Sequence, residues 1–411
     1  MENLQPISSE TQQASHCPVD HIALSPRKVE RPTAPVPAIE CDEKGIWHIH
    51  RFELGRAMLR GTQTQQAGFG AELINLAVMA NLPVLYAEGK AHTEQRKLTA
   101  RFFTPTAVSI KYREFMEAQV DQLISGFKKQ GQADLGKMSL TMAVQTVARV
   151  LGLNYSLFGG MEDRLDAFFS IPFELPGSSL LSKLQMVWNT RIMLAFFVID
   201  VRPAIAVHKK QDHDDLISHL IGQKYNDREI LTEVVTFGAA GMATTREFIS
   251  MAAWHFLENP DLRLHYLKAE EPERLAILHE ILRVEPVVGH VLRTATDELT
   301  LTSEGQNYVI PKGAVIDFDI YSANTETTMV GEEPHAVCAG REIHGDQVSG
   351  MLMSFGDGHH RCPGAYIAIQ ETDIFLRKLL AMETLHITKP PSVTWGALST
   401  GYELRNFMIG L

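Results

Sequence analysis

Apolar side chains recur every three or four positions through much of the chain, most clearly over residues 106–127, 136–153 and 161–169. That spacing predicts helices with one buried face. Residues 226–258 form the longest candidate: Asn226 offers a polar cap, the interior is almost wholly apolar, and Asn259-Pro260 ends the run. A helix apolar all round is expected to pass through the middle of a large domain. Shorter helices are expected over 260–268, 272–282 and 365–382. Strand signals are few and late, over 291–302, 308–310, 314–320, 385–388 and 407–411. Residues 321–354 read as an irregular stretch, long enough to need a purpose. The pattern predicts a mainly α protein with small β-sheets.

Composition narrows the class. With 45% hydrophobic and 21% charged residues in 411, the chain can bury a large core. A net charge of −11 argues against a nucleic-acid partner, whose binding face is basic. Residues 1–40 are polar and proline-rich and read as a flexible leader to one domain over 41–411, with no signal peptide. The most apolar run, 192–201, is too short for a bilayer and is broken by Asp200 and Arg202, so no transmembrane segment is expected. Cys17, Cys41, Cys338 and Cys362 show neither zinc spacing nor a disulfide framework, which favours a reducing, cytoplasmic setting.

The chemistry concentrates in Phe355-Gly356-Asp357-Gly358-His359-His360-Arg361-Cys362-Pro363-Gly364. Its glycines allow tight turns and close approach to a flat ligand. Pro363 suits the first position of the helix that follows. Cys362 then stands at a helix N-terminus, where the dipole and free amides favour a thiolate of lowered pKa. A single thiolate presented this way suits heme iron. An ordinary buried cysteine in a turn is the plain alternative, and the phenylalanine and three glycines in register weigh against it.

This run resembles the Phe-x-x-Gly-x-x-x-Cys-x-Gly signature of the cytochrome P450 heme-thiolate monooxygenases. The resemblance extends over roughly residues 70–411 and implies one domain with a long central helix over heme b, the iron held by Cys362 beside Phe355 and Gly364. It implies further that His92, Arg96, Arg293 and His360 hold the heme propionates, and that Glu280 and Arg283, with Arg341, lock a helix to the irregular stretch. In Ala239-Ala240-Gly241-Met242-Ala243-Thr244-Thr245 it assigns Ala240 to the heme face. Thr244, with Thr245 beside it, is assigned to assisting the protonation of dioxygen. A hydroxyl there can also bond back to the preceding turn and open a bulge. One departure stands out: the acid usual before the threonine is Ala243, which leaves Glu247, one turn on, or ordered water to relay protons.

The implied function is hydroxylation or dealkylation of a small or medium apolar organic substrate with dioxygen. Electrons would come from an external ferredoxin and ferredoxin reductase, since no dinucleotide-binding glycine fingerprint is present. A peroxide-using peroxygenase and a non-catalytic heme-thiolate sensor are the rivals. Thr236, Ala239, Val287, Val288, His290 and Leu398 are the expected pocket positions, with His290 the one polar reader. Phe168, Phe169, Ile171, Phe173 and Leu175 suggest an apolar lid. Lys97, Arg101, Arg361, Arg377 and Lys378 suggest a basic docking patch.

Overall fold

A computed structural model describes residues 24–29, 36–68, 81–169, 180–303, 305–345, 348–396 and 400–411. Its axis is the long helix foreseen from the sequence. Asn226 closes a capping box, accepting from the amides of Arg228 and Glu229 while the Glu229 carboxylate accepts from the Asn226 N–H. The helix runs as Asp227–Gly238, widens through one turn over Ala239–Ala243, and continues as Thr244–Glu258. Asn259 then caps Pro260–Lys268. The widened turn packs tightly, because a Cβ on Gly241 would meet Val147 at 2.8 Å.

Helices Leu135–Leu151 and Ala365–Leu380 pack against Thr244–Glu258, and Arg113–Gln130 packs against Ala365–Leu380. The larger of two cores lies among these helices, with Met251, Phe256, Ile281 and Phe375 fully buried. The smaller core lies under a five-stranded sheet ordered Ile39–Cys41, Trp47–Ile49, Val315–Asp319, His290–Ala295, Thr64–Gln66. Only Trp47–Ile49 and Val315–Asp319 run parallel within it. Helix Phe52–Arg60 covers the sheet so closely that a Cβ on Gly55 would collide with the Phe318 ring.

Several expectations change. The run 291–302 divides into His290–Ala295 and Leu299–Ser303, the second paired with Gln306–Ile310. The hairpin Ser392–Gly396 with Gly401–Arg405 and the three-residue strands near the N-terminus were not foreseen, being too short to show a period. Among the described residues of 321–354, the stretch is irregular apart from the end of Ile320–Asn324, Thr327–Val330 and the two-residue strand Ala336–Val337. Part of the supposed flexible leader is built in: Ser25–Pro26 pairs with Ala336–Val337, and Val29 joins the larger core. Cys338 is disulfide-bonded, contrary to the reading of the spacing.

The apolar run 192–201 falls in helix Leu180–Phe196 and the widened turn Phe197–Val201. Asp200 there is buried, and its carboxylate accepts from Arg164 Nε at 2.8 Å and Nη2 at 2.7 Å, so its charge is matched. Among the described residues no helix is long and apolar enough to cross a membrane.

Candidate functional site

The cysteine loop owes its shape to two left-handed glycines, Gly356 and Gly358, both at φ +66°. At Gly358 a side chain is excluded outright, since a Cβ would lie 2.1 Å from the Leu59 carbonyl. Asp357 ties the loop to helix Phe52–Arg60, accepting from Arg60 Nε at 2.8 Å. The Cys362 amide donates to the Phe355 carbonyl at 2.9 Å and closes the loop. Gly364, at φ −83°, is the cap of Ala365–Leu380, so Pro363 stands before the helix rather than at its first position.

The thiol environment also differs from expectation. Burial pushes the Cys362 pKa up from its ordinary value. Hydrogen bonds from the Gly364 and Ala365 amides and the charges of Arg96 and Arg361 oppose that rise without cancelling it. The helix start thus supplies the donors foreseen, and desolvation outweighs them.

Helix Gly89–Thr99 brings two basic side chains to this loop. Arg96 Nη2 donates to the Arg361 carbonyl at 2.6 Å. His92 is buried, and its ring lies 4.1 Å from that of His360. Burial, then the neighbouring His360 and Arg96, holds the His92 pKa down to about 4. Arg293 enters from strand His290–Ala295, only 6% exposed, and burial lowers its pKa to about 10. Its guanidinium donates to the Leu292 carbonyl at 2.9 Å and makes no ion pair among the described residues. The one carboxylate in the group is Glu88, unforeseen from sequence, whose Oε2 lies 3.2 Å from His360 Nε2. Two buried and two half-buried basic groups against one carboxylate is an unbalanced arrangement. Its nitrogen donors suit an anionic group.

On the long helix, Thr244 Oγ1 donates back to the Ala240 carbonyl at 2.6 Å, next to the widened turn. Ala240 is exposed although it sits mid-helix, so this face borders open space; Thr245 is buried. Glu247 does not suit a relay. Its Oε1 accepts from Arg246 Nε at 2.8 Å and Arg405 Nη1 at 2.6 Å, and its Oε2 from the Leu404 amide at 2.7 Å. A carboxylate so held is a tie between the helix and the 401–405 strand.

Glu280 and Arg283 are buried, not a surface pair. Arg283 Nε and Nη2 both reach Glu280 at 2.7 Å, and Arg341 Nε reaches the same carboxylate at 2.7 Å. The two guanidiniums donate onward to the carbonyls of Asn324, Pro334, Val330 and Glu332, which fastens the helix to the irregular stretch.

Of the expected pocket positions, Thr236 bonds back to the Thr232 carbonyl at 2.8 Å, Val287 is buried, and Ala239 and Val288 are partly exposed. His290 Nδ1 is engaged by Asp317 at 3.0 Å, which weakens its case as the polar reader. Leu398 lies outside the described residues, as do Ile171, Phe173, Leu175 and the side chains of Phe168 and Phe169. In the docking patch, Lys378 pairs with Asp121 at 2.7 Å and Arg377 with Glu117 at 3.8 Å, leaving Lys97, Arg101 and Arg361 as its cations without ion pairs among the described residues.

A mainly helical fold that sets one cysteine beside amide donors and surplus basic groups suits a heme-thiolate protein. Comparison with known proteins agrees. The family model for cytochrome P450 matches residues 275–393. The erythromycin C-12 hydroxylase of Saccharopolyspora erythraea is 25% identical over 351 residues, 83% of this chain and 82% of that one. The monooxygenase PikC of Streptomyces venezuelae is 25% identical over 366 residues, 86% and 81% of the two chains. The solved structure of CalO2 superposes with a TM-score of 0.74 at 20% identity, covering 91% of this chain and 92% of that one. P450BioI, solved with an acyl carrier protein carrying a fatty acid, gives 0.73 at 18% identity, covering 91% and 94%. Residues 275–393 match the cytochrome P450 family model, and over most of its length the chain resembles that family's monooxygenases, in which a cysteine ligates the heme.

Proposed function

We propose that the protein hydroxylates or dealkylates an apolar organic substrate of small or medium size, with Cys362 as the thiolate ligand of heme b and electrons from an external ferredoxin and its reductase. When bound, the heme supplies the activation of dioxygen. His92, Arg96, Arg293 and His360 hold its two carboxylates, and Phe355 and Gly364 shape the loop beneath it. The surplus of basic groups converging beside Cys362 carries this reading. Ala240 keeps the wall of the long helix low. Thr244 offers the one hydroxyl at the widened turn, free to exchange its bond to the Ala240 carbonyl for one into the open space. Glu280, Arg283 and Arg341 keep the irregular stretch folded behind the cysteine loop and take no part in the chemistry. Lys97, Arg101 and Arg361 form the docking patch for an acidic electron donor. Among similar proteins, the hydroxylase named above acts on erythromycin, and a steroid C26-monooxygenase of Rhodococcus jostii, 25% identical over 364 residues, acts on a steroid.

A second reading, use of hydrogen peroxide, is favoured by one observation. Ala243 carries no acid and Glu247 is immobilised, so the usual carboxylate path for protons is missing from this helix. The test of the first reading is direct. Cys362→Ser should abolish the red-shifted Soret band of the reduced carbon monoxide complex, while Cys41→Ser and Cys338→Ser keep it. A normal band in the Cys362 variant overturns the assignment. Turnover with peroxide alone, and none with a ferredoxin system, would favour the second reading.

A further inference from the structure

One carboxyl on the long helix is not explained by its structural contacts. Glu233 and Ala240 are seven residues apart, which returns a helix to within about 20° of the same direction and advances it about 10 Å. Glu233 therefore lies on the face that opens to space at Ala240. It is 3% exposed. Its Oε1 accepts from the Val84 amide at 3.0 Å, just as Glu229, one turn earlier, accepts from the Asn81 amide at 3.0 Å. Together the two carboxyls clamp residues 81–84 to the helix. The clamp uses one oxygen of Glu233, and Oε2 has no partner among the described residues. A buried polar atom left unpaired needs a reason.

A second unpaired atom lies beside the same segment. Gln95, on helix Gly89–Thr99, donates from Nε2 to the Leu82 carbonyl and to the Tyr225 hydroxyl, both at 2.9 Å. Its Oε1 is buried with no partner among the described residues. Burial raises the Glu233 pKa to about 8, so at neutral pH the carboxyl carries a proton and can donate. The Gln95 oxygen can only accept. One donor and one acceptor held on the 82–84 segment match an alcohol, which both accepts and donates. A ketone would satisfy only the donor.

Resting on the monooxygenase reading, we propose that Glu233 and Gln95 anchor the hydroxyl group of the substrate, which is an apolar molecule carrying an alcohol about two helical turns from Ala240. Glu233 then determines specificity and has no part in the reaction.

The test uses the heme-loaded protein and a rigid matched pair, decalin and 2-decalol, titrated by the shift of the Soret band. The wild type should bind the alcohol about tenfold more tightly than the hydrocarbon, the worth of one good buried hydrogen bond. Glu233→Leu should bring that ratio close to one. Glu233→Gln, which keeps the Val84 contact and a donor, should retain a severalfold preference. If Glu233→Leu does not hold heme, Gln95→Leu carries the test and should lower the ratio severalfold. Equal binding by the wild type, or a preference unchanged in these variants, overturns the proposal. The carbon monoxide spectrum of each variant separates this outcome from failure of the heme assignment, since an intact band with no alcohol preference sinks the anchor alone.

Discussion

Glu371 offers the sharpest physical test of the interior. It sits in helix Ala365–Leu380 at 1% exposure, near Thr146, and its Oε1 has no hydrogen-bond partner among the described residues. Burial raises its pKa from 4.5 to about 8. The folded state therefore holds a proton that the unfolded chain has released at any pH between those values. Stability contributed this way is present at low pH and lost as pH rises toward 8. Measuring between pH 6.5 and 8 leaves out His92, whose lowered pKa of about 4 acts below 6.5 with the opposite sign. Over those 1.5 pH units, one glutamate shifts stability by about 2 kcal/mol. Glu371→Gln keeps the shape and removes the proton equilibrium. Urea unfolding of the holoprotein, followed by far-UV circular dichroism at both pH values, should show the variant losing about 2 kcal/mol less than the wild type. Other groups that titrate in the window, Glu233 at about 8 among them, cancel in the difference. Equal losses would mean that Glu371 is ionised in the native protein and that solvent reaches it.

The other expectations are as direct. Glu280→Ala should cost about 3–5 kcal/mol, read by the same unfolding assay, because two buried guanidiniums lose their carboxylate. The double variant His92→Ala, Arg96→Ala should lose heme faster to apomyoglobin while reduced carbon monoxide spectra of the fraction still loaded stay normal; unchanged transfer would remove these residues from the site. Ala243→Asp should raise the product formed per NADPH consumed and Thr244→Ala lower it. Glu247→Gln should instead destabilise the fold by about 1–3 kcal/mol with little selective effect on that ratio, since it breaks a charged tie to Arg405 and Leu404. Reduction by an acidic ferredoxin should slow with salt and with charge reversal at Lys97 and Arg361, but respond weakly to Lys378, already paired with Asp121.

Local signals carried much of this structure. The Asn226 cap and the Asn259-Pro260 stop bound the long helix because both act within a few residues of the chain. The bulge at Ala239–Ala243 was legible for the same reason, as Thr244 reaches only to the Ala240 carbonyl. The loop turns at Gly356 and Gly358 depend on backbone freedom that glycine alone brings. Tertiary structure decided the electrostatics. Whether Cys362 has a raised or lowered pKa depends on burial that no spacing reveals, and there desolvation outweighed the helix start. Glu247 looked available until Arg405, 158 residues away, arrived to hold it. His92 and His360 meet across the fold, as do Glu233 and the amide of Val84. A residue's type and its near neighbours set what it can do; its desolvation and its distant partners, which exist only after the chain has packed, set what it does.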